Sequence, residues 1–156
     1  MSTTPVHAPV RGRAVTLGDV PDPVFAQGMV GYGAAVDPPR EVVDAVAPVS
    51  GQLFKLMPHA FIVMTSEKVG ILVHLGLDTV SLNGAGFSSH VAEGDTVTAG
   101  QTVITYDVPA VVAAGLNPIV AVVVVDEREP GNVMVTEEVR SGSEIGSGSA
   151  LFTAVN

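Results

Sequence analysis

The 156-residue sequence contains no cysteine and no tryptophan. Without cysteine the chain can form no disulfide, no thiol nucleophile and no cysteine-ligated zinc site. Basic residues are also scarce, because seven lysines and arginines stand against 16 acidic residues, for a formal net charge of −9. Nucleic acids and anionic membranes attract clusters of Lys and Arg, so this charge argues against both as partners and favours a basic protein surface.

Long apolar runs and a leader segment are missing as well. The longest purely apolar run, Ile119–Val125, is far too short to cross a bilayer. The first five residues, Met1–Pro5, lack the charged segment followed by an apolar stretch that marks a signal peptide. We therefore expect a cytoplasmic protein that does not insert into a membrane.

The composition favours many short strands joined by tight turns. Apolar residues make up 47% of the chain, which also holds 17 glycines and 11 prolines. We predict a single all-β domain at 8–156, a β-sandwich or flattened barrel, after a polar and mobile tail at 1–7. One short helix is predicted at Pro109–Gly115, which begins with Pro and ends with Gly. The predicted strands are Arg13–Leu17, Gly51–Leu56, Ala60–Met64, Val69–His74, Val80–Leu82, Thr102–Tyr106, Ile119–Val125, Val133–Val135 and Leu151–Val155.

Two short patterns occur twice along the chain. The sequence of Ala8–Gly12 returns with one change in Ala47–Gly51, and a Gly-x-x-Val-x-x-Gly spacing at Gly94–Gly100 returns at Gly142–Gly148 with Ile in place of Val. Such spacing before a strand fits a turn whose glycines relieve the backbone and whose single apolar residue points inward. The repetition predicts a duplicated β motif, with two similar sheets packed face to face.

Two histidines flank a predicted hairpin. Its turn is Thr65–Lys68, the only polar segment between two apolar runs. If the hairpin is centred on the middle of this turn, His59 and His74 are cross-strand partners with Cβ atoms about 4.5–5.5 Å apart. Phe61 and Leu72 then lie beside them on the same face of the sheet.

Two kinds of chemistry fit an opposed pair of imidazoles. The pair can hold a metal ion, but a zinc site needs a third or fourth ligand, for which Asp78 is the nearest candidate. Alternatively, one neutral imidazole attacks phosphorus and the other donates a hydrogen bond to the phosphoryl oxygens. A small zinc hydrolase is therefore one alternative. A second is a biotinyl or lipoyl carrier module, suggested by the turn at 94–101, although no lysine stands between methionines as such carriers require.

Several further motifs stand in a fixed order between about Ala8 and the C-terminus. They are Asp19–Phe25 (DVPDPVF), His59–Phe61 (HAF), Val73–Val80 (VHLGLDTV), Leu82–Phe87 (LNGAGF), Glu93–Gln101 (EGDTVTAGQ) and Asn117-Pro118. The sequence resembles the glucose-type enzyme IIA domains of the sugar phosphotransferase system. That resemblance implies an antiparallel β-sandwich and a phosphoryl carrier that needs no cofactor. In such systems the sugar is selected by the membrane-embedded permease.

The resemblance also assigns roles to individual residues. By motif, His74 takes a phosphoryl group on Nε2 from the carrier protein HPr and passes it to the cysteine of a sugar-specific enzyme IIB, part of the IIB/IIC permease. His59 helps to hold that group, Asp78 repels or orients the incoming phosphate, and Thr79 is structural. No metal is required, although zinc can bind adventitiously at His59 and His74. The residues expected to form or border the apolar depression where partners dock are Asp22, Val24, Phe25, Met29, Phe61, Leu72 and Leu75.

The sequence departs from the family pattern at two positions. Met57 stands where relatives often carry a threonine that bonds an active-site imidazole, and a thioether cannot replace that bond. Tyr32 stands where an aspartate is common. Both changes are expected near the site, where they alter how the imidazoles are oriented and how partners make contact.

Overall fold

The computed structural model describes residues 2–155 as short strands and three short α-helices. The strands are β1 (Thr3–His7), β2 (Gly12–Thr16), β3 (Gly31–Asp37), β4 (Val42–Val46), β5 (Gly51–Met57), β6 (Ala60–Met64), β7 (Gly70–Leu75), β8 (Phe87–Ser89), β9 (Thr96–Val97), β10 (Thr102–Asp107), β11 (Val120–Val125), β12 (Val133–Val135), β13 (Glu144–Ile145) and β14 (Ala150–Val155). The helices are α1 (Pro23–Ala26), α2 (Val108–Ala113) and α3 (Glu137–Ser141).

The strands form one large sheet and two small ones. The large sheet has eight strands in the order β13-β2-β3-β11-β7-β6-β5-β9, and the small sheets have the orders β1-β14-β12 and β4-β10-β8. All of these strand pairs are antiparallel. The main core contains buried side chains of all three sheets, so the predicted antiparallel β-sandwich is confirmed.

The duplicated motif occupies equivalent places in the fold. At one end of the large sheet Gly12 pairs with Ile145, and at the other end Gly51 pairs with Val97. Each copy then continues into the central strand of a three-stranded sheet, β14 in one case and β10 in the other. The repeated sequence therefore builds both edges of the large sheet and the small sheet that follows each edge.

The first residues are part of the fold, which corrects the expectation of a mobile tail. Strand β1 pairs with β14, from Thr3 opposite Val155 to His7 opposite Ala150. Thr4 and Val6 point inward and are buried, whereas Thr3 and Pro5 are exposed. This alternation is the pattern of a strand with one buried face, and Val6 packs in the main core.

Several local predictions were wrong. The strand predicted at Val80–Leu82 is a 3-10 turn at Thr79–Leu82, because the residues on either side of it, Asp78 and Asn83, adopt left-handed backbone conformations that end strand pairing. The predicted helix is present as α2, but α1 and α3 were not expected. Both are single short turns that begin at side-chain caps, where Asp22 accepts from the Val24 N–H and Thr136 accepts from the Val139 N–H.

A second apolar cluster lies on the outer face of the large sheet. It is covered by the segment between β2 and β3, which supplies Leu17, Val20 and Phe25. Strands β3, β6, β7 and β11 supply the small or branched side chains beneath it. The members of the cluster are Val15, Leu17, Val20, Phe25, Ala35, Ala60, Leu72, Leu77, Ile119, Ala121 and Val123.

Candidate active site

His74 stands on β7, which lies between β11 and β6 in the large sheet. Its cross-strand neighbours are Ala121 on β11 and Ala60 on β6, and both belong to the outer apolar cluster. Ala121 is in turn opposite Ala35 on β3. Methyl side chains on both sides leave room above the sheet for an imidazole ring, so the row of alanines makes space for His74.

The hairpin that carries the two histidines has a different register from the one predicted. Ala60 pairs with His74 and Met64 with Gly70, a shift of one residue. The turn closes with the Thr65 N–H donating to the Val69 carbonyl, and Lys68 adopts a left-handed conformation (φ 65°) within it. A shift of one residue moves a side chain to the other face of the sheet. Phe61 therefore packs in the main core instead of beside the histidines.

The two imidazoles nevertheless meet. His59 lies just before β6, and its carbonyl accepts a hydrogen bond of 2.8 Å from the Leu75 N–H. The ring centroids of His59 and His74 are 5.1 Å apart with an edge-to-face angle of 75°. The ring of Phe25 lies 5.2 Å from that of His74 at an angle of 57°. His59 is only 8% exposed, whereas His74 is half-buried.

The hydrogen bond at Nδ1 determines the tautomer of His74. Nδ1 lies 2.7 Å from the carbonyl oxygen of Gly76, which can only accept. Nδ1 therefore carries the proton, and the lone pair of a neutral ring is on Nε2. Gly76 adopts a left-handed conformation (φ +83°) at the end of β7, which is favourable only for glycine.

Burial lowers the pKa of both histidines. For His74 the largest influence is desolvation, which the hydrogen bond to Gly76 and the carboxylates of Asp22 and Asp78 oppose only in part. For His59 desolvation again dominates, and a charge on His74 would lower its pKa further. Both rings are therefore neutral at neutral pH, as a nitrogen nucleophile requires.

The predicted supporting residues lie in and beside the turn after β7. Asp78 is exposed with a left-handed backbone, close enough to raise the pKa of His74. Thr79 is fully buried, and its Oγ1 donates a 2.7 Å hydrogen bond to the Leu75 carbonyl. Thr79 thus braces the turn that holds Gly76.

The residues predicted to form the docking surface fall into four groups. Val24 and Met29 are 42% and 58% exposed. Asp22 is half-buried at the start of α1. Phe25 and Leu72 are buried in the outer cluster that underlies the histidines. The remaining two, Phe61 and Leu75, are fully buried in the main core, which corrects their placement at the surface. The observed register points Phe61 away from His74, and Leu75 follows His74 on β7 and so points to the opposite face of the sheet.

The structure also locates the two departures from the family pattern. Met57 is exposed at the end of β5 and pairs with Ala60, so it continues the row of residues that crosses the sheet through His74. The ring of Tyr32 packs against Gly28, where an added Cβ would lie 2.4 Å from it. Sequence reasoning missed Ala60 and Ala121, and their small size at cross-strand positions becomes informative only when the register is known.

Residues 2–155 contain no group of three or more His, Asp or Glu side chains placed to hold a metal ion. No helix within those residues is long and apolar enough to cross a membrane.

The family model for the phosphoenolpyruvate-dependent sugar phosphotransferase system, EIIA 1, matches residues 4–129. The chain belongs to this EIIA family. It is 39% identical over 146 residues to the PTS system glucose-specific EIIA component of Oceanobacillus iheyensis, covering 90% of this chain and 87% of that protein. The structure of glucose permease IIA from Mycoplasma capricolum is similar with a TM-score of 0.84 and 33% identity, covering 98% of this chain and 96% of that one.

Other EIIA relatives belong to larger proteins. The EIICBA component of Streptococcus pneumoniae, named glucose-specific, is 47% identical over 115 residues, which are 72% of this chain and 16% of that protein. The glucosamine-specific EIICBA component of Bacillus subtilis is 39% identical over 117 residues. The present EIIA is a phosphotransferase component that carries a phosphoryl group from HPr to an enzyme IIB in sugar uptake. Fusion of EIIA to EIIB and EIIC in these relatives supports the interaction with the permease.

Proposed function

We propose that Nε2 of His74 is the atom that carries the phosphoryl group in this EIIA, and that His59 donates a hydrogen bond to that group. The observation that carries the proposal is the 2.7 Å contact between Nδ1 of His74 and the Gly76 carbonyl oxygen. It directs the lone pair of His74 to Nε2, on an imidazole that is half-buried and partly open to a docked partner.

The transfer can be written atom by atom. The Nε2 lone pair of His74 attacks phosphorus of the phosphohistidine on HPr, a new N–P bond forms, and the N–P bond to HPr breaks with its electron pair leaving on the HPr imidazole. The ring of His74 becomes positively charged while Nδ1 keeps its proton. The Gly76 carbonyl, Asp22 and Asp78 all favour that charge. In the second step a thiolate of enzyme IIB attacks phosphorus, and Nε2 leaves with its lone pair.

His59 is placed to act on the phosphoryl oxygens without forming a bond to phosphorus. Its ring is edge-to-face with that of His74, at a centroid distance of 5.1 Å, and lies in an almost fully buried position. Donors that are fixed before the reaction stabilise the charge on a transferring phosphoryl group. Because His59 is neutral, it can offer one N–H from either nitrogen, as the approaching oxygens require.

Apolar walls protect the intermediate. The Phe25 ring lies 5.2 Å from the His74 ring, and Leu72 and Ala121 belong to the cluster beneath it. Exclusion of water by such surfaces slows hydrolysis of a reactive intermediate. Val24 and Met29, both exposed, are the apolar residues on which partners dock. We also place this EIIA in the cytoplasm, because its phosphoryl donor HPr is charged from phosphoenolpyruvate there; cell fractionation tests the location.

Two substitutions test the roles of the histidines. Each variant is incubated with phosphoenolpyruvate, enzyme I and HPr, analysed by mass spectrometry, and then chased with an enzyme IIB. His74→Gln should accept no phosphate. His59→Gln should accept it but transfer it onward more slowly, because a glutamine amide can donate a hydrogen bond but cannot adjust its protonation as charge moves. Full loss of one charge-stabilising donor costs about 10² to 10³ in rate.

The bound phosphate should be labile in acid and stable in base, as a phosphoramidate is. If His74→Gln accepts phosphate while His59→Gln does not, the two roles are reversed. If both accept it, the site lies elsewhere, and His90, just after β8, is the next residue to replace.

A further inference from the structure

The Gly76 carbonyl, which accepts the hydrogen bond from His74, belongs to a turn that is hydrogen-bonded to the loop before β11. The Gly76 N–H donates to the Ile119 carbonyl at 3.0 Å, and the Leu77 N–H donates to the Asn117 carbonyl at 2.8 Å. The direction of the Gly76 carbonyl, and with it the hydrogen bond to His74, therefore depends on where residues 117–119 lie.

Residues 117–119 are held in turn by a buried tyrosine. The hydroxyl of Tyr106 donates a 2.8 Å hydrogen bond to the Pro118 carbonyl. Tyr106 is fully buried on β10, in the centre of a small sheet, and its ring stacks on Phe87 at 5.4 Å with an angle of 16°. The Tyr106 side chain thus extends through the core, and its hydroxyl connects the small sheet to the loop that supports the site.

Tyr106 also contacts the turn directly. A Cβ placed on Gly76 would lie 3.1 Å from the Tyr106 hydroxyl oxygen and 3.2 Å from the Asn117 carbonyl oxygen. Gly76 is thus packed between the phosphoryl site on one side and the Tyr106 hydroxyl on the other. The loop has an additional restraint, because the Asn117 side-chain oxygen accepts a 3.0 Å hydrogen bond from the Ile119 N–H.

We propose that Tyr106 is a positioning residue for phosphoryl transfer, whose hydroxyl fixes residues 117–119 and thereby holds the Gly76 carbonyl on Nδ1 of His74. This inference rests on the proposed function of His74. Tyr106 touches neither the phosphoryl group nor a partner. It acts through the backbone hydrogen bonds that Gly76 and Leu77 donate to residues 117–119. These bonds fix the Gly76 carbonyl, which keeps the proton of His74 on Nδ1 and the reactive lone pair on Nε2.

The test replaces Tyr106 by Phe, which removes only the hydroxyl. The hydrogen bond to Gly76 should weaken, so nitrogen NMR of His74 should show a larger fraction of the ring protonated at Nε2. The rate of phosphate acceptance from phospho-HPr should fall by roughly 3- to 10-fold, the range expected for one hydrogen bond of ordinary strength. Thr105→Val is the matched control, because it removes a hydroxyl from the neighbouring residue of β10, where Thr105 donates to Asp44 at the surface.

A second variant keeps the test decisive if Tyr106→Phe does not fold. Asn117→Ala removes the acceptor of the Ile119 N–H from an exposed side chain, and it should change the His74 tautomer in the same direction. Unchanged tautomer and acceptance rate in the folded variants would overturn the role of Tyr106. A changed tautomer with unchanged acceptance would support the link from Tyr106 to His74 and contradict the proposal that His74 carries the phosphoryl group.

Discussion

The imidazole rings of His59 and His74 lie edge to face at 5.1 Å, although the two residues are not cross-strand partners. His74 is opposite Ala60, and His59 precedes that alanine in the chain. The contact depends on the path of the chain where β5 turns into β6, and on the space above Ala60. Both rings occupy an apolar face where burial keeps them neutral.

This burial predicts how stability changes with pH. The pKa of each histidine is lower in the folded protein than the ordinary value of 6.5. Below 6.5 the unfolded chain binds protons that the folded chain does not, so the free energy of unfolding should fall as the pH drops through 6.5. Urea denaturation at about pH 7.5 and about pH 5.5 measures this difference. The double variant His59→Gln, His74→Gln should show a smaller loss, and an equal loss would exclude the pair as its cause.

Gly76 should be difficult to replace. In Gly76→Ala the new Cβ would lie 2.5 Å from Cγ2 of Thr79, on a backbone with φ of +83°. Strain of this kind costs about 1–3 kcal/mol before any steric overlap. Chemical denaturation should show that loss, and phosphate acceptance should fall with it. Adding Thr79→Ser removes Cγ2 but keeps the hydroxyl that bonds the Leu75 carbonyl, so it should restore part of the stability.

Because alanines flank His74, a larger side chain at either position should lower stability and slow phosphoryl transfer. Ala121→Val adds two methyl groups at a fully buried position directly across from His74. Overpacking should cost about 1–3 kcal/mol, and the displaced imidazole should accept phosphate more slowly. Ala113→Val, on the exposed surface of α2, is the control and should leave transfer unchanged. Wild-type kinetics in a folded Ala121→Val protein would show that the position beside His74 tolerates a larger side chain.

Two methionines of similar exposure test the docking surface. Met29, 58% exposed near α1, should contact partners, whereas Met134, 60% exposed on β12, should not. Met29→Asp should raise the KM for phospho-HPr without changing the melting temperature, because a carboxylate in an apolar contact must be desolvated. Met134→Asp should leave KM unchanged. Equal effects of the two substitutions would indicate a general charge effect instead of a local contact.

Much of the secondary structure of this EIIA could be predicted from its sequence. Strand β6 was predicted with its observed ends, and β12 likewise, because runs of branched apolar residues bounded by polar turns favour extended backbone. The doubled Gly-x-x-Val-x-x-Gly spacing indicated the duplicated motif that forms both edges of the large sheet. Strand β3 was missed because Gly31–Asp37 is rich in glycine and alanine, and its strand conformation comes from pairing with β2 and β11.

The composition of the site was determined by tertiary structure. A polar turn of four residues indicates a hairpin, but the hydrogen bond from Thr65 to Val69 and the left-handed Lys68 set its register, and that register sends Phe61 into the core. The sequence by itself identified His59 and His74 as the candidate pair and predicted an all-β fold around them. The sequence also predicted that the two imidazoles lie close together, but only the fold decided how they meet. The observed register places His74 opposite Ala60 instead of His59, and small alanines from β6 and β11 leave space for the rings.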